Sequence, residues 1–255
     1  MILTSQQDLI QRAAQLLKTA QHAVVLTGAG LSTHSGIPDF RSQDTGLWQR
    51  DDPMEVSSLT TFRRNPQRFF NWLRPLAGSM WKAQPNPAHI ALAQMERSGI
   101  LRAVITQNID GLHQRAGALE VLEVHGSMQT LSCLVCRKSY PSAAYAVPFV
   151  EQAVMPRCPL CQAVLKPDIV LFEEMLPQDT WQRAERHCRM ADVMLVIGSS
   201  LQVMPAAHLP AVARQHGARL VMINFTPTYL DDEADVILRA DLVEVVPAIF
   251  DALSV

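Results

Sequence analysis

The sequence predicts an α/β fold built on a doubly wound parallel sheet, and three observations predict it. Short apolar runs recur at AVVLTGAG (23–30), LRAVITQ (101–107), VMLVIGSS (193–200) and RLVMINF (219–225). Segments with helical spacing or helix-starting prolines alternate with them. The polar sequences GAG, TQNID, GSS and NFT stand at the carboxyl ends of the runs. Continuous apolar runs suit strands covered on both faces, and alternation with helices makes the sheet parallel. Ligands of such sheets bind outside the carboxyl strand ends, so the polar sequences mark one site at one sheet edge.

The elements follow in order. Leu9, Ile10, Ala13, Leu16 and Leu17 give residues 6–20 a helical spacing. The run at 23–30 reads as a buried strand feeding a tight turn. Residues 32–60, rich in Ser, Thr, Asp, Gly and Pro, read as a long loop of the functional or mobile kind. Residues 62–82 read as helix in pieces, broken at Pro66 and Pro75. A helix is expected over 87–98 with Pro87 in its first turn. Strands follow at 101–107, 193–200 and 219–225, with a helix over 205–216 and a short last strand at 234–240. The organisation expected is a Rossmann-like domain of residues 1–45, 84–130 and 167–255. A smaller domain is inserted into it, with a helical part at 46–83 and a cysteine-bearing part at 131–166.

Composition narrows the function. The chain has 255 residues, 48% hydrophobic and 18% charged, which fits a globular protein with a large core. A net charge of −2 offers no general coat for nucleic acid. The N-terminal stretch has no basic segment leading into an apolar one, and no run of about 18 apolar residues occurs. Neither a signal peptide, a membrane partner nor direct nucleic-acid binding is expected. Five cysteines, four of them in two C-x-x-C pairs, favour metal binding in a reducing compartment over a disulfide framework, and so a cytoplasmic protein.

Cys133-x-x-Cys136 and Cys158-x-x-Cys161 lie 21 residues apart, and two such knuckles bring four thiolates onto one Zn²⁺. A closed four-thiolate site has no open position for water, so the zinc is structural. Cys188 stands outside the pairs and reads as a helix residue.

The turn Gly28-Ala29-Gly30 lets backbone approach a phosphate closely, yet alone it is equally an ordinary strand-turn-helix junction. Its full G-x-G-x-x-G pattern is missing, because Thr33 holds the third place. The longer stretch GAGLSTHSGIPDFRS (28–42) changes that reading. It resembles the NAD-binding loop of the sirtuin family, GAG-x-S-x-x-SGIPDFR, at every defined position. TQNIDGLHQRAG (106–117) resembles the family's TQNID-x-LH-x-x-AG, and LEVHG (122–126) its E-x-HG. The motifs come in the family's order over nearly the whole chain, as in a bacterial-type single-domain member.

The resemblance implies an NAD-dependent protein-lysine deacylase, with NAD as co-substrate and acyl-lysine proteins or peptides as partners. Gly28, Ala29, Gly30, Asp39, Phe40 and Arg41 would contact NAD from the first loop. Ile109 and Asp110 would hold the nicotinamide carboxamide, and Gln107 and Asn108 the ribose. Gly198, Ser199 and Ser200 match later NAD contacts, as do Asn224 and Phe225, with Asn224 on the adenosine ribose. Leu242 sits where the family stacks near the adenine. The implied chemistry joins the acyl oxygen to C1′ of the nicotinamide ribose and expels nicotinamide. His125 then takes a proton from a ribose hydroxyl as general base, Asn108 and Asp110 position the reacting groups, and Phe40 shields the reactive face. The products are free lysine and O-acyl-ADP-ribose.

KPDIVLFEEMLP (166–177) resembles the family's acyl-lysine segment, in which Val170 and Phe172 would line an apolar tunnel. The chain departs from the pattern at Glu173, where the family has glycine. A glutamate there would clash with the peptide, point to solvent or favour a basic peptide. Members that remove acidic acyl groups carry a Tyr and an Arg three positions apart in the helical part. The stretch around Pro75 and Ala77 has no such pair, which favours acetyl or a longer apolar acyl group. Other readings stay open: an ADP-ribosyltransferase or NAD glycohydrolase on the same site, a hydride-transfer dehydrogenase, and a zinc-ribbon adaptor.

Overall fold

The computed structural model describes residues 5–41 and 46–253. The chain begins with α1 (Gln6–Thr19), β1 (Ala23–Thr27), α2 (Pro53–Ser57), α3 (Leu59–Arg64), α4 (Pro66–Lys82) and α5 (Pro87–Arg97). It continues through β2 (Leu101–Thr106), α6 (Leu112–Ala116), β3 (Val121–Glu123), β4 (Gly126–Cys133), β5 (Ser139–Pro141), α7 (Ala143–Gln152) and β6 (Leu165–Ile169). It closes with α8 (Gln178–Met190), β7 (Val193–Ile197), α9 (Leu209–Gln215), β8 (Arg219–Ile223), β9 (Val236–Leu238) and α10 (Leu242–Leu253).

Six strands form one sheet in the order β3-β2-β1-β7-β8-β9. All its pairings are parallel. The chain winds outward from β1 in one direction and from β7 in the other, so the switch point lies between them. That is where a doubly wound sheet opens its ligand crevice. Successive residues of β1 divide between the faces. Val25 joins Leu17, Leu92 and Val246 under α1, α5 and α10. Val24 and Leu26 join Ala184 and Leu209 under α8 and α9. Both faces are covered, which is why these strands read as unbroken apolar runs.

A second sheet, β5-β4-β6, is antiparallel. It begins at Gly126, one residue after His125. A third apolar cluster packs α4 (Phe69, Phe70, Leu73) against Phe62, Phe149 and Ile169. No helix among the described residues is long and apolar enough to cross a membrane.

Two expectations are corrected. The loop expected over 32–60 holds a 3₁₀ turn at Ala29–Ser35, then α2 and the start of α3; its residues 42–45, together with Ser42 of the first motif, lie outside the described residues. Asp52 caps α2 through the Met54 amide, and Ser58 caps α3 through the Thr61 amide. These turn-favouring residues are helix starts. Pro66 opens α4 behind its cap Asn65, but Pro75 lies inside α4 without ending it. Burial of Leu73, Leu76 and Ala77 around it outweighs the lost hydrogen bond.

Candidate functional site

The carboxyl ends of β1, β2, β7 and β8 surround a cavity of about 1340 Å³. This is more than one small ligand needs, and it suits a site that holds two substrates together. Every sequence-predicted site residue other than the four cysteines lies along its wall, from Gly28 to Leu242.

The switch point is tightly built. A Cβ on Gly28 would lie 2.7 Å from the Gly198 carbonyl oxygen, and one on Gly30 2.9 Å from the same atom. The Gly30 amide donates to that carbonyl at 2.9 Å. The glycines therefore let two loops interlock, which leaves backbone lining the cavity. The 3₁₀ turn then places Ser32 over the end of β2. Its hydroxyl donates to Asp110 Oδ2 at 2.7 Å, and Asn108 Nδ2 donates to Ser32 Oγ at 3.2 Å and to the Gly28 carbonyl at 3.0 Å. Asp110 Oδ1 accepts from the Leu112 amide at 2.8 Å, holding the start of α6. Burial pushes the Asp110 carboxyl above its ordinary range against these hydrogen bonds. Ser32 was absent from the predicted site residues, although the GAG-x-S pattern carries it.

Gln107 Nε2 donates to Ser199 Oγ at 2.9 Å, tying the ends of β2 and β7. His125 Nδ1 lies 3.1 Å from the Gln107 carbonyl, which fixes that nitrogen as the protonated one and leaves Nε2 as the acceptor. Burial lowers the His125 pKa, the Gln107 hydrogen bond opposes this, and Arg41 lowers it further. The ring is thus neutral at physiological pH. Asn224 Nδ2 donates to the Thr226 carbonyl at 2.8 Å, shaping the end of β8, while the Phe225 ring is exposed at the rim.

The segment 166–177 is joined to the histidine, because the Val170 amide donates to the His125 carbonyl at 2.8 Å. Beyond it the cavity turns apolar, floored by Leu73, Leu76 and Met80 of α4. The α4 residues that face the cavity, Trp72, Leu73, Leu76 and Met80, include neither a tyrosine nor an arginine. Phe40 stacks on Trp48 at 5.1 Å, and Trp48 on Trp72 at 5.6 Å. This aromatic wall was not read from the sequence, where its members lie in separate segments.

The four predicted cysteines converge, all ligand atoms lying within 4.8 Å of one another. Cys133–Cys161 and Cys136–Cys158 Sγ pairs stand 3.5 Å apart. Zn–S bonds of about 2.3 Å in a tetrahedron require about 3.8 Å, so the thiols fit one Zn²⁺. Cys188 is buried in α8, away from the cluster.

Comparison with known proteins agrees with this geometry. The model of the Sir2 family matches residues 28–205. An NAD-dependent protein deacylase 2 of Archaeoglobus fulgidus is 46% identical over 249 residues, 97% of each chain. An NAD-dependent protein deacetylase of Caldivirga maquilingensis is 43% identical over 244 residues, covering 96% of this chain and 93% of that one. Among solved structures, a Sir2 homologue in complex with NAD superposes with a TM-score of 0.87 at 38% identity, over 96% of this chain and 93% of that one. A Sir2 structure bound to a myristoylated histone peptide has a TM-score of 0.83 at 41% identity, over 97% of each chain.

Proposed function

The chain belongs to the Sir2 family, the sirtuins, and from that premise we propose that it removes acetyl and longer apolar acyl groups from protein lysines, consuming NAD. The observation that carries this reading is one continuous cavity with two chemistries. Polar strand ends form one half and an apolar tunnel the other, with His125 at the junction. NAD supplies the ribose carbon that takes the acyl oxygen as nicotinamide leaves. The chain's own residues bind, orient and move protons. Asn108 and Asp110, locked by Ser32, present an amide and a carboxylate in fixed positions. Neutral His125 accepts a proton at Nε2. Phe40, braced on Trp48, screens the reacting face from water.

The division of labour follows. Residues 1–45, 84–130 and 167–255 hold NAD, and the helical 46–83 and zinc-bearing 131–166 segments shape the acyl-lysine entrance. Leu73 and Leu76 support the preference for apolar acyl groups. Four cysteines gathered within reach of one Zn²⁺ support a reducing compartment, and we assign the protein to the cytoplasm.

The test is nicotinamide release from NAD, with and without an acetyl-lysine peptide, by wild type and His125→Ala. Peptide-dependent release is expected in wild type, with steady-state turnover to O-acyl-ADP-ribose falling roughly 10²- to 10⁴-fold in the variant, since the base acts after nicotinamide has left. The acid limb of kcat/KM should lie below the ordinary histidine value of about 6.5, since burial lowers this pKa and the base must be neutral. Release without peptide would turn the reading to a glycohydrolase or transferase.

A further inference from the structure

Residue 173 is where this chain departs from its family, and the structure gives the departure a shape. Glu173 holds φ at +75°, the left-handed region that glycine enters freely and glutamate does not. Such a conformation persists only when its surroundings hold it. The holding contact is with α3. The Thr60 amide donates to Glu173 Oε2 at 2.8 Å, across 113 residues of chain. Thr60, through its hydroxyl as well as this amide, keeps the Glu173 carboxyl below its ordinary range.

The neighbouring bonds show what this contact fastens. The Phe172 amide donates to the Ser57 carbonyl at 3.1 Å, and the Leu59 amide donates to the Phe172 carbonyl at 3.0 Å. On the other side, buried Lys166 Nζ donates to Glu174 Oε2 at 2.8 Å and to the Ile169 carbonyl at 2.7 Å. Glu174 Oε2 also accepts from the Leu171 amide at 2.9 Å. Two adjacent carboxylates thus tie the segment in opposite directions, Glu174 back to β6 and Glu173 forward to α3. Among the described residues, the backbone N–H and C=O of Glu173 itself make no hydrogen bond. They stand in an exposed turn just after the single bridge between Phe172 and Ser58, beside Met175, which is 92% exposed. An edge with free backbone groups receives an extended peptide by strand addition.

We propose that Glu173 is a positioning residue that clasps this edge to α3 and so pre-orders it for the acyl-lysine peptide. The proposal rests on the deacylase reading above. A glycine at 173 would leave the edge free to move and make the peptide bear the ordering on binding. The glutamate fixes it beforehand, so its effect belongs to peptide affinity and not to the chemical step. Of the outcomes open for Glu173 in the sequence, the geometry shows no clash: the carboxylate stands exposed and is tied to the Thr60 amide.

The experiment compares wild type, Glu173→Gly and Glu173→Gln. Hydrogen exchange at the Thr60 amide reads the clasp, and steady-state kinetics with an acetyl-lysine peptide read its use. The glycine variant should exchange Thr60 about fivefold faster and raise the peptide KM about fivefold, with kcat and the NAD KM held to roughly twofold. The glutamine variant, whose amide oxygen still accepts, should return both to within roughly twofold of wild type. An unchanged Thr60 exchange rate, an unchanged peptide KM or a loss confined to kcat would overturn the proposal. If wild type itself ignores the acyl-peptide, the deacylase reading fails instead and takes the peptide role with it, while the exchange rates still report the clasp.

Discussion

Gly198 sits at φ +61°, and a Cβ there would lie 2.4 Å from the Leu31 amide nitrogen, backbone that cannot swing aside. Gly28 and Gly30 press on it from the opposite loop. Gly198→Ala should therefore destabilise the protein by about 2 kcal/mol or more, combining left-handed strain with a forced shift of the first loop. NAD affinity should fall with it. Urea unfolding and NAD titration of the same preparation check this, and an alanine variant of wild-type stability would mean that the loops do not interlock. The sequence made the 28–30 turn legible, but for another reason. A glycine pair after a strand suggests close approach to a phosphate, whereas the structure adds a neighbour that demands both glycines. That neighbour belongs to another strand end, and nothing local to residues 28–30 points to it. Ser32 is similar: its place in the motif was visible, its bond to Asp110 was not.

At the scale of elements, apolar runs read well and turn-rich stretches did not. β1, β2, β7 and β8 were legible because a sheet covered on both faces leaves few polar positions in its strands, with Arg102 and Arg219 exposed near the starts of theirs. α2 and α3 were not, since Asp, Ser and Pro cap and open short helices as readily as they make turns. α7 and α10 also escaped, with α7 lying between the cysteine pairs and α10 carrying an internal Pro247, and of α8 only Cys188 was read as helical. The zinc ribbon was legible from spacing alone, and its placement gives it a consequence. β4 starts one residue after His125, and β6 runs into Val170, whose amide meets the His125 carbonyl. Stripping zinc with a chelator, or Cys158→Ser, should free the amides of β4–β6 to exchange while β1 and β7 stay protected. Peptide-dependent turnover should drop more than about tenfold, because the channel segment loses its anchor. A chelated protein with unchanged exchange in β4–β6 would show that apolar packing, through Leu131 and Leu165, holds this sheet without metal.

A buried histidine pair gives the molecule as a whole a pH dependence beyond the one that His125, also lowered by burial, contributes. His89 of α5 and His113 of α6 are fully buried against each other, ring centroids 5.0 Å apart, where the helical layer meets β1. His113 Nε2 bonds the Thr27 hydroxyl at 2.9 Å, and Thr27 bonds Thr106, whose hydroxyl accepts from the Asn108 amide. Among the described residues, His89 Nε2 and His113 Nδ1 have no hydrogen-bond partner, and no carboxylate faces either ring to favour a charge. Burial lowers the His89 pKa to about 4 and takes His113 well below its ordinary value, with His89 adding to the second shift. Both values are depressed on folding, so between the unfolded pKa near 6.5 and the folded one the unfolded chain binds more protons. The stability is therefore complete above about 6.5 and is lost as pH falls through that window. For His89 alone the loss amounts to roughly 3 kcal/mol by pH 4, at about 1.4 kcal/mol per pKa unit. Urea midpoints measured from pH 7.5 down to 5 should fall steeply in wild type, and the slope should flatten in His89→Gln, which no longer titrates there. Because the pair stands behind the Thr27–Thr106–Asn108 chain, NAD binding should weaken over the same window only as the fold loosens. Burial raises the Asp110 and Glu123 carboxyls and so favours the fold as pH falls, which makes the difference between wild type and His89→Gln the decisive reading: equal slopes would mean that water reaches these rings and that the helical layer closes over β1 less tightly than the structure has it.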